Sequence, residues 1–148
     1  IVLCDTNGGS LPFTIAQVVR TVRKNLPTAR IGIHAHNNQQ LAFGNTIEAI
    51  VCGVNRLDAT ISGIGRGAGN CPMENLLSFL RNPKFNLRAV LQCIEKHFLP
   101  LSKELEWGAL IPYLITAYFN QHPRSAMELR AGDKKDNYVE FYDRWNEA

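Results

Sequence analysis

The chain has 148 residues, 45% hydrophobic and 20% charged, a composition that suits an ordinary globular protein with enough length to bury a core. Sixteen Lys and Arg against thirteen Asp and Glu give a formal charge of +3, with the basic residues scattered along the chain. There is no basic stripe and no apolar run of membrane-spanning length, so neither nucleic acid nor membrane is expected as a partner.

Cys4, Cys52, Cys71 and Cys93 are far apart, form no CxxC pair and follow no secretory leader, which reads as reduced thiols in a cytoplasmic protein. The chain opens at Ile1 inside an apolar run without Met, and on that pattern it reads as a fragment.

Ile1 to Cys4 suits a buried parallel strand that opens into the polar loop Asp5-Thr6-Asn7-Gly8-Gly9. From Thr14, the residues Ile15, Val18, Val19, Val22 and Leu26 recur at helical spacing until Pro27 stops the pattern. A second strand, Arg30 to His36, sends Ile31, Ile33 and Ala35 to one face and Gly32, His34 and His36 to the other. Its helix carries Phe43, Ile47, Ile50 and Val51 and closes at Gly53. A third strand, Arg56 to Ile61, divides into Leu57, Ala59 and Ile61 against Asp58, Thr60 and Ser62. A glycine-rich loop follows, then a helix bearing Met73, Leu76, Leu77 and Leu80.

Strands alternating with helices are βα units of a parallel sheet. Both faces of an open doubly wound sheet meet helices, whereas here one face of two successive strands is small or polar, as in barrel strands whose ends point into an active-site mouth. The expected fold class is therefore α/β, with residues 1–82 forming the C-terminal part of a (β/α)8 TIM barrel.

Residues 83–148 read as a helical appendage. Leu87, Val90, Leu91 and Ile94 form one stripe, Trp107 to Phe119 another helix, and Tyr138, Phe141, Tyr142 and Trp145 a third stripe. Packing of that last stripe within its own subunit is the favoured expectation, and a homo-oligomer contact through the helical region is the alternative.

Three local patterns carry chemistry. His34-Ala35-His36 directs two imidazoles to one side of a strand end, where they can share a metal and leave open positions for oxygen ligands. Taken alone, such a pair also occurs as surface or core histidines. Gly63-Ile64-Gly65-Arg66-Gly67-Ala68-Gly69-Asn70 can turn backbone N–H groups towards a carboxylate or phosphate, or can be a purely structural tight turn. A dinucleotide loop would need Gly at Ala68 and a further βα unit with an acidic ribose ligand. Asp5-Thr6-Asn7-Gly8-Gly9 reaches the same mouth or merely leads a helix. Cys71, just beyond the glycines, is either a reactive thiol or, as expected, a small buried hydrophobe.

Read together, CDTNGGSLP, IGIHAHNNQQLAFGNTIEAI and RLDATISGIGRGAGNCPMEN resemble the metallolyase TIM-barrel superfamily. Its members include HMG-CoA lyase, the isopropylmalate, citramalate and homocitrate synthases, and 4-hydroxy-2-oxovalerate aldolase. The resemblance covers about residues 1–80 and implies that these are the last three βα units of the barrel. It implies His34 and His36 as ligands of a divalent cation, Mg²⁺ or Mn²⁺, with Asn70 at or near the metal. Asp5 and Thr6 match the superfamily's DT at the substrate end of its strand, and Gly65 and Gly67 belong to its substrate-side loop. The third protein ligand, an Asp, and a catalytic Arg lie on the superfamily's first strand, so the isolated chain is expected to be inactive.

No cysteine falls between Gly63 and Asn70, a departure from HMG-CoA lyase. GAGN followed by Pro and Glu resembles the oxovalerate aldolase, and CDTNGG with Leu-Pro resembles the citramalate and isopropylmalate synthases. The helical tail resembles the aldolase's C-terminal helices, which implies Tyr113 as a catalytic tyrosine; the alternative is a core residue. The expected function is a metal-dependent aldolase acting on a small 4-hydroxy-2-oxo acid. An acetyl-CoA-dependent 2-oxo acid synthase and a catalytically silent barrel module are the alternatives.

Overall fold

The protein is described by a computed structural model covering residues 1–146. Strands β1 (Val2–Asp5), β2 (Gly32–Ala35) and β3 (Arg56–Leu57) form one parallel sheet in the order β1-β2-β3. Parallel neighbours need crossover connections, and these are α1 (Pro12–Asn25) and α2 (Ala42–Val51). Cys4 pairs with His34, Asp5 with Ala35, and Gly32 with Arg56. Alternation then gives the sheet two chemically distinct faces. Leu3, Ile33 and Ala35 turn towards the helices, while Val2, Cys4, Gly32 and His34 occupy the other face.

The core on the helical side gathers Ile15 and Val19 of α1, Ile31, Ile33 and Ala35 around β2, Ala42 and Ala49 of α2, and Val54, Cys71 and Leu76. Fully burying a side chain the size of Ile or Val stabilises by about 1.5–3 kcal/mol, so this cluster anchors the sheet to its crossovers. Arg23 fastens the far ends of those crossovers by donating to the carbonyls of Ala29 and Gly53 at 3.0 and 2.9 Å.

The helices depart from the sequence pattern in detail. Helix α1 starts at Pro12, two residues before the expected Thr14, because Pro at a helix start gives up no intrahelical hydrogen bond. Val18 and Leu26, expected on its apolar stripe, are exposed. In α2 the buried face runs through Ala42, Asn45, Thr46 and Ala49, and Val51 is 73% exposed. The donors of the polar residues on that face are satisfied: Asn45 Nδ2 donates to the Ser10 carbonyl at 2.7 Å and Thr46 Oγ1 to the Ala42 carbonyl at 2.7 Å, while Asn45 Oδ1 has no partner.

Strand β3 ends at Leu57, well short of the expected Ile61. Asp58 N still donates to the Ile33 carbonyl at 3.0 Å, but the next slot beside β2 is taken by the returning chain, where Cys71 N donates to the Ala35 carbonyl at 3.2 Å. Ile61–Gly63 instead form a 3₁₀ turn, and the glycine loop leads to α3 (Met73–Leu80).

Beyond it, α4 (Leu87–Cys93) runs through a π-helical turn at Ile94–Phe98 into the short α5 (Leu99–Leu101). Pro100 has no N–H to continue an α-helical ladder at that point. None of the residues of α4 is fully buried: in the expected stripe Leu87, Val90 and Ile94 are half-buried and Leu91 is exposed. The helix expected over Trp107 to Phe119 is α6 (Ile111–Tyr118); Gly108, at φ +110°, and Pro112 place its start four residues later.

Helices α7 (Arg124–Ala131) and α8 (Tyr138–Asn146) complete the tail. Its own core joins Tyr113, Ile115, Ala126 and Phe141 with Ala68 of the glycine loop, and Tyr138, Tyr142 and Trp145 pack against it. Of the aromatic stripe of α8, Phe141 is thus buried within the chain and Tyr138, Tyr142 and Trp145 are half-buried against the same core. Among the described residues, no helix is long and apolar enough to cross a membrane.

Two outcomes follow from this packing. Phe141→Ala should destabilise the fold by about 3–5 kcal/mol, read as a fall in the urea midpoint. Glu140 receives hydrogen bonds from Arg144, Asn137 and Lys134, which hold its carboxyl at about 2, below its ordinary 4.5. Its contribution to stability is therefore complete above pH 4.5 and is lost as the pH falls towards 2. Glu140→Gln should flatten that part of the stability–pH curve measured by circular dichroism.

Candidate functional site

The two histidines meet at the C-terminal end of β2. His34 is the last mouth-facing residue of the strand, and His36 lies just beyond it, where an isolated bridge pairs it with Asn70. Their Nε2 atoms are 3.3 Å apart.

Each ring is held from its other nitrogen. His36 Nδ1 lies 2.9 Å from the Asp5 carbonyl, which can only accept, so in the neutral ring Nδ1 carries the proton and Nε2 the lone pair. His34 Nδ1 lies 3.5 Å from Asp58 Oδ2, whose carboxylate favours the same tautomer. Two bare lone pairs facing each other repel, and a proton or cation between them removes the repulsion. Nitrogens bound at right angles to one ion, each about 2.1 Å from it, lie about 3 Å apart. The pair therefore fits a divalent cation by both charge and separation.

A cleft of about 300 Å³ opens at this point, lined by Thr6, Asn38, Arg66, Asn70, Tyr113, Pro123 and both histidines. Asn70 is fixed twice over. Its backbone bridges to His36, and its Nδ2 donates to the Ile64 carbonyl at 3.1 Å, leaving Oδ1 as the side chain's acceptor. Asn38 is buried beside the cleft, and its Nδ2 has no hydrogen-bond partner. Gly8, at φ +61°, makes room for it, because a Cβ there would occupy the space of the Asn38 side chain.

Tyr113 is brought in from the tail. It is only 3% exposed, its ring fills the space a side chain at Gly67 would need, and the Arg130 guanidinium lies 5.9 Å from its ring centre. The loop after β1 also touches the tail, since Asn7 Nδ2 donates to the Asn120 carbonyl at 3.3 Å.

The other sequence-derived residues are placed differently. The Asp5 side chain does not reach the mouth. It shares the face of Ala35, is buried, and accepts from Ser10 Oγ at 3.0 Å, because strand alternation turns it away while sending Cys4 and Thr6 inward. Asp5 serves the site through its carbonyl on His36. Gly65 and Gly67 line a second cleft of about 540 Å³, on the far side of Arg66 and Tyr113.

The loop's N–H groups are partly consumed within it: Gly69 N donates to Arg66 and Asn70 N to Gly63. The glycines provide clearance for Asn70 and Tyr113 more directly than an anion cradle. Cys71 is fully buried, and burial pushes its thiol pKa up, helped by the nearby Glu74 carboxylate, so it is an unreactive core residue. A larger hollow of about 560 Å³ beside α7 and α8 contains none of these groups.

Asp58, Asn38 and Arg66 have no assigned role in the sequence patterns. Asp58 was within reach of the alternation rule, two residues beyond Arg56, but its approach to His34 depends on the β2–β3 register.

The HMGL-like family model matches residues 1–96. An (R)-citramalate synthase from Geobacter sulfurreducens is 42% identical over 94 residues, 64% of this chain and 17% of that protein. A 4-hydroxy-2-oxovalerate aldolase from Bacillus thuringiensis is 30% identical over 150 aligned positions, 95% of this chain and 44% of that protein. The solved N-terminal domain of an aldolase candidate from Bacteroides vulgatus superposes with a TM-score of 0.77 at 36% identity, over 86% of this chain and 43% of that one. The chain thus spans less than half the length of each of these relatives.

Gly67→Ala should destabilise the chain by about 2 kcal/mol or more, since φ is +62° and the Tyr113 ring occupies the Cβ position. Gly108→Ala, at φ +110° in open space, should cost about 1 kcal/mol. Paired urea titrations check the difference.

Proposed function

The chain belongs to the HMGL-like family, and from that premise we propose that it forms part of a metal-dependent aldolase that cleaves a 4-hydroxy-2-oxo acid. Residues 1–82 would be the last three βα units of a (β/α)8 barrel and residues 83–148 its helical appendage. The observation that carries the proposal is the pair of histidine nitrogens 3.3 Å apart, each ring anchored through its other nitrogen. Aldolases of this family generally depend on a divalent metal.

His34 and His36 would hold that cation, with Asn70 beside them. When bound, the cation supplies Lewis-acid polarisation of the 2-oxo group and stabilises the negative charge left when the carbon–carbon bond breaks. Arg66 contributes positive charge to the same cleft, and Thr6 would offer a hydroxyl to the substrate carboxylate. Tyr113 lines the cleft, where its hydroxyl would hydrogen-bond to the substrate's 4-hydroxyl. As that hydroxyl gives its proton to a base from the rest of the barrel, the C3–C4 bond would break, the aldehyde would leave, and return of a proton from that base to the three-carbon enolate would give pyruvate.

A second reading, an acetyl-CoA-dependent 2-oxo acid synthase, is favoured by the 42% identity to a protein named as a citramalate synthase. The aldolase is preferred because the relative of that name aligns over 95% of this chain, through the tail that brings Tyr113 to the cleft.

The test is to supply the protein that carries this chain with Mn²⁺ and a panel of 4-hydroxy-2-oxo acids. Pyruvate release is expected, with His34→Ala and His36→Ala each lowering kcat/KM by at least about a hundredfold. Absence of pyruvate across the panel would sink the aldolase, and release of free CoA from acetyl-CoA with a 2-oxo acid would establish the synthase.

A further inference from the structure

Cys4 lies directly opposite His34 in the parallel ladder, so strand alternation turns its side chain to the same face. Its thiol is free, and its Sγ, a ring nitrogen of His34 and a ring nitrogen of His36 all lie within 4.8 Å of one another. Thr6 Oγ1 contacts the sulfur at 3.8 Å and holds it at the mouth end of the sheet. Around one tetrahedral ion, a sulfur at about 2.3 Å and a nitrogen at about 2.1 Å lie about 3.6 Å apart.

We propose that Cys4 is a third protein donor to the cation held by His34 and His36, giving a two-nitrogen, one-sulfur set that selects a thiophilic divalent ion over Mg²⁺. This rests on the metal reading of the histidines given above. A thiolate is a soft ligand that favours Zn²⁺, Co²⁺ or Fe²⁺, whereas Mg²⁺ prefers oxygen and retains much of its water. As the sulfur–metal bond forms, the thiol proton passes to solvent. The other three cysteines do not join the cluster: Cys71 is in the core, Cys52 follows α2 and Cys93 ends α4. All three donors belong to this chain, so binding can be read on it without any turnover.

The experiment is a Co²⁺ titration of the protein that carries this chain, followed by absorption spectroscopy. The expected result is a near-ultraviolet thiolate-to-cobalt charge-transfer band together with visible ligand-field bands. Cys4→Ser should remove the first and keep the second, while Cys52→Ser should change neither. Zn²⁺ competition should show at least about a tenfold loss of affinity in Cys4→Ser, with Mg²⁺ binding unchanged. On the unmodified chain, Zn²⁺ should shield Cys4 from alkylation, a readout that needs no variant to fold.

Ligand-field bands without a thiolate band, a thiolate band that survives Cys4→Ser, or alkylation of Cys4 unaffected by Zn²⁺ would overturn the proposal and leave the histidine site standing. No cobalt spectrum from the unmodified chain would overturn both.

Discussion

The return of the glycine loop to the end of β2 is the constraint on which the site depends. Asn37 N donates to the Gly69 carbonyl at 2.9 Å, and Cys71 N donates to the Ala35 carbonyl at 3.2 Å. These bonds complete the backbone pairing that β3 abandons after Leu57. They also fix Asn70 next to His36 and hold Gly67 where the Tyr113 ring can lie against it. Without this return the histidines would still face one way, but the cleft would lose its opposite wall.

The same economy of backbone groups explains the histidine tautomers. The chain after β1 turns as it leaves the sheet, which brings the Asp5 carbonyl to His36 Nδ1 while the Asp5 carboxylate stays with Ser10. One residue thus anchors the loop on the helical side of the sheet and orients His36 on the other. Asp58 acts on His34 from the opposite flank through its carboxylate. Because both orienting groups are acceptors, each favours a proton on Nδ1 and leaves the inward Nε2 of a neutral ring as an electron donor.

What the sequence reveals follows the range of the interactions. The inward direction of His34 and His36 is a property of one strand, so spacing alone predicts it, as it predicts the parallel sheet from the recurrence of strand and helix. The turn of Asp5 away from the mouth follows from the same parity, since Asp5 is one residue out of phase with Cys4 and Thr6. The early end of β3 was not visible, because its cause is competition from Cys71 for the Ala35 carbonyl. The buried face of α2 is likewise hidden from a hydrophobicity pattern: Asn45 and Thr46 go inside, where the Ser10 and Ala42 carbonyls receive their donors. Tyr113 was suggested by resemblance alone, and its arrival beside Gly67 is a contact between distant parts of the chain that no local periodicity encodes.

The glycine loop has a consequence for how such a site can diversify. Gly63, Gly67 and Gly69 all have positive φ, and a side chain at any of them would run into the Asn70 backbone, Tyr113 or the Gly63 carbonyl. Ala68 is buried in the tail's core, and the Ile64 carbonyl receives both Thr60 and Asn70. Arg66 alone combines solvent exposure with a place in the cleft wall. Variation in the charge or bulk offered by this loop is therefore channelled to one position, where the side chain can change while the backbone around it stays still.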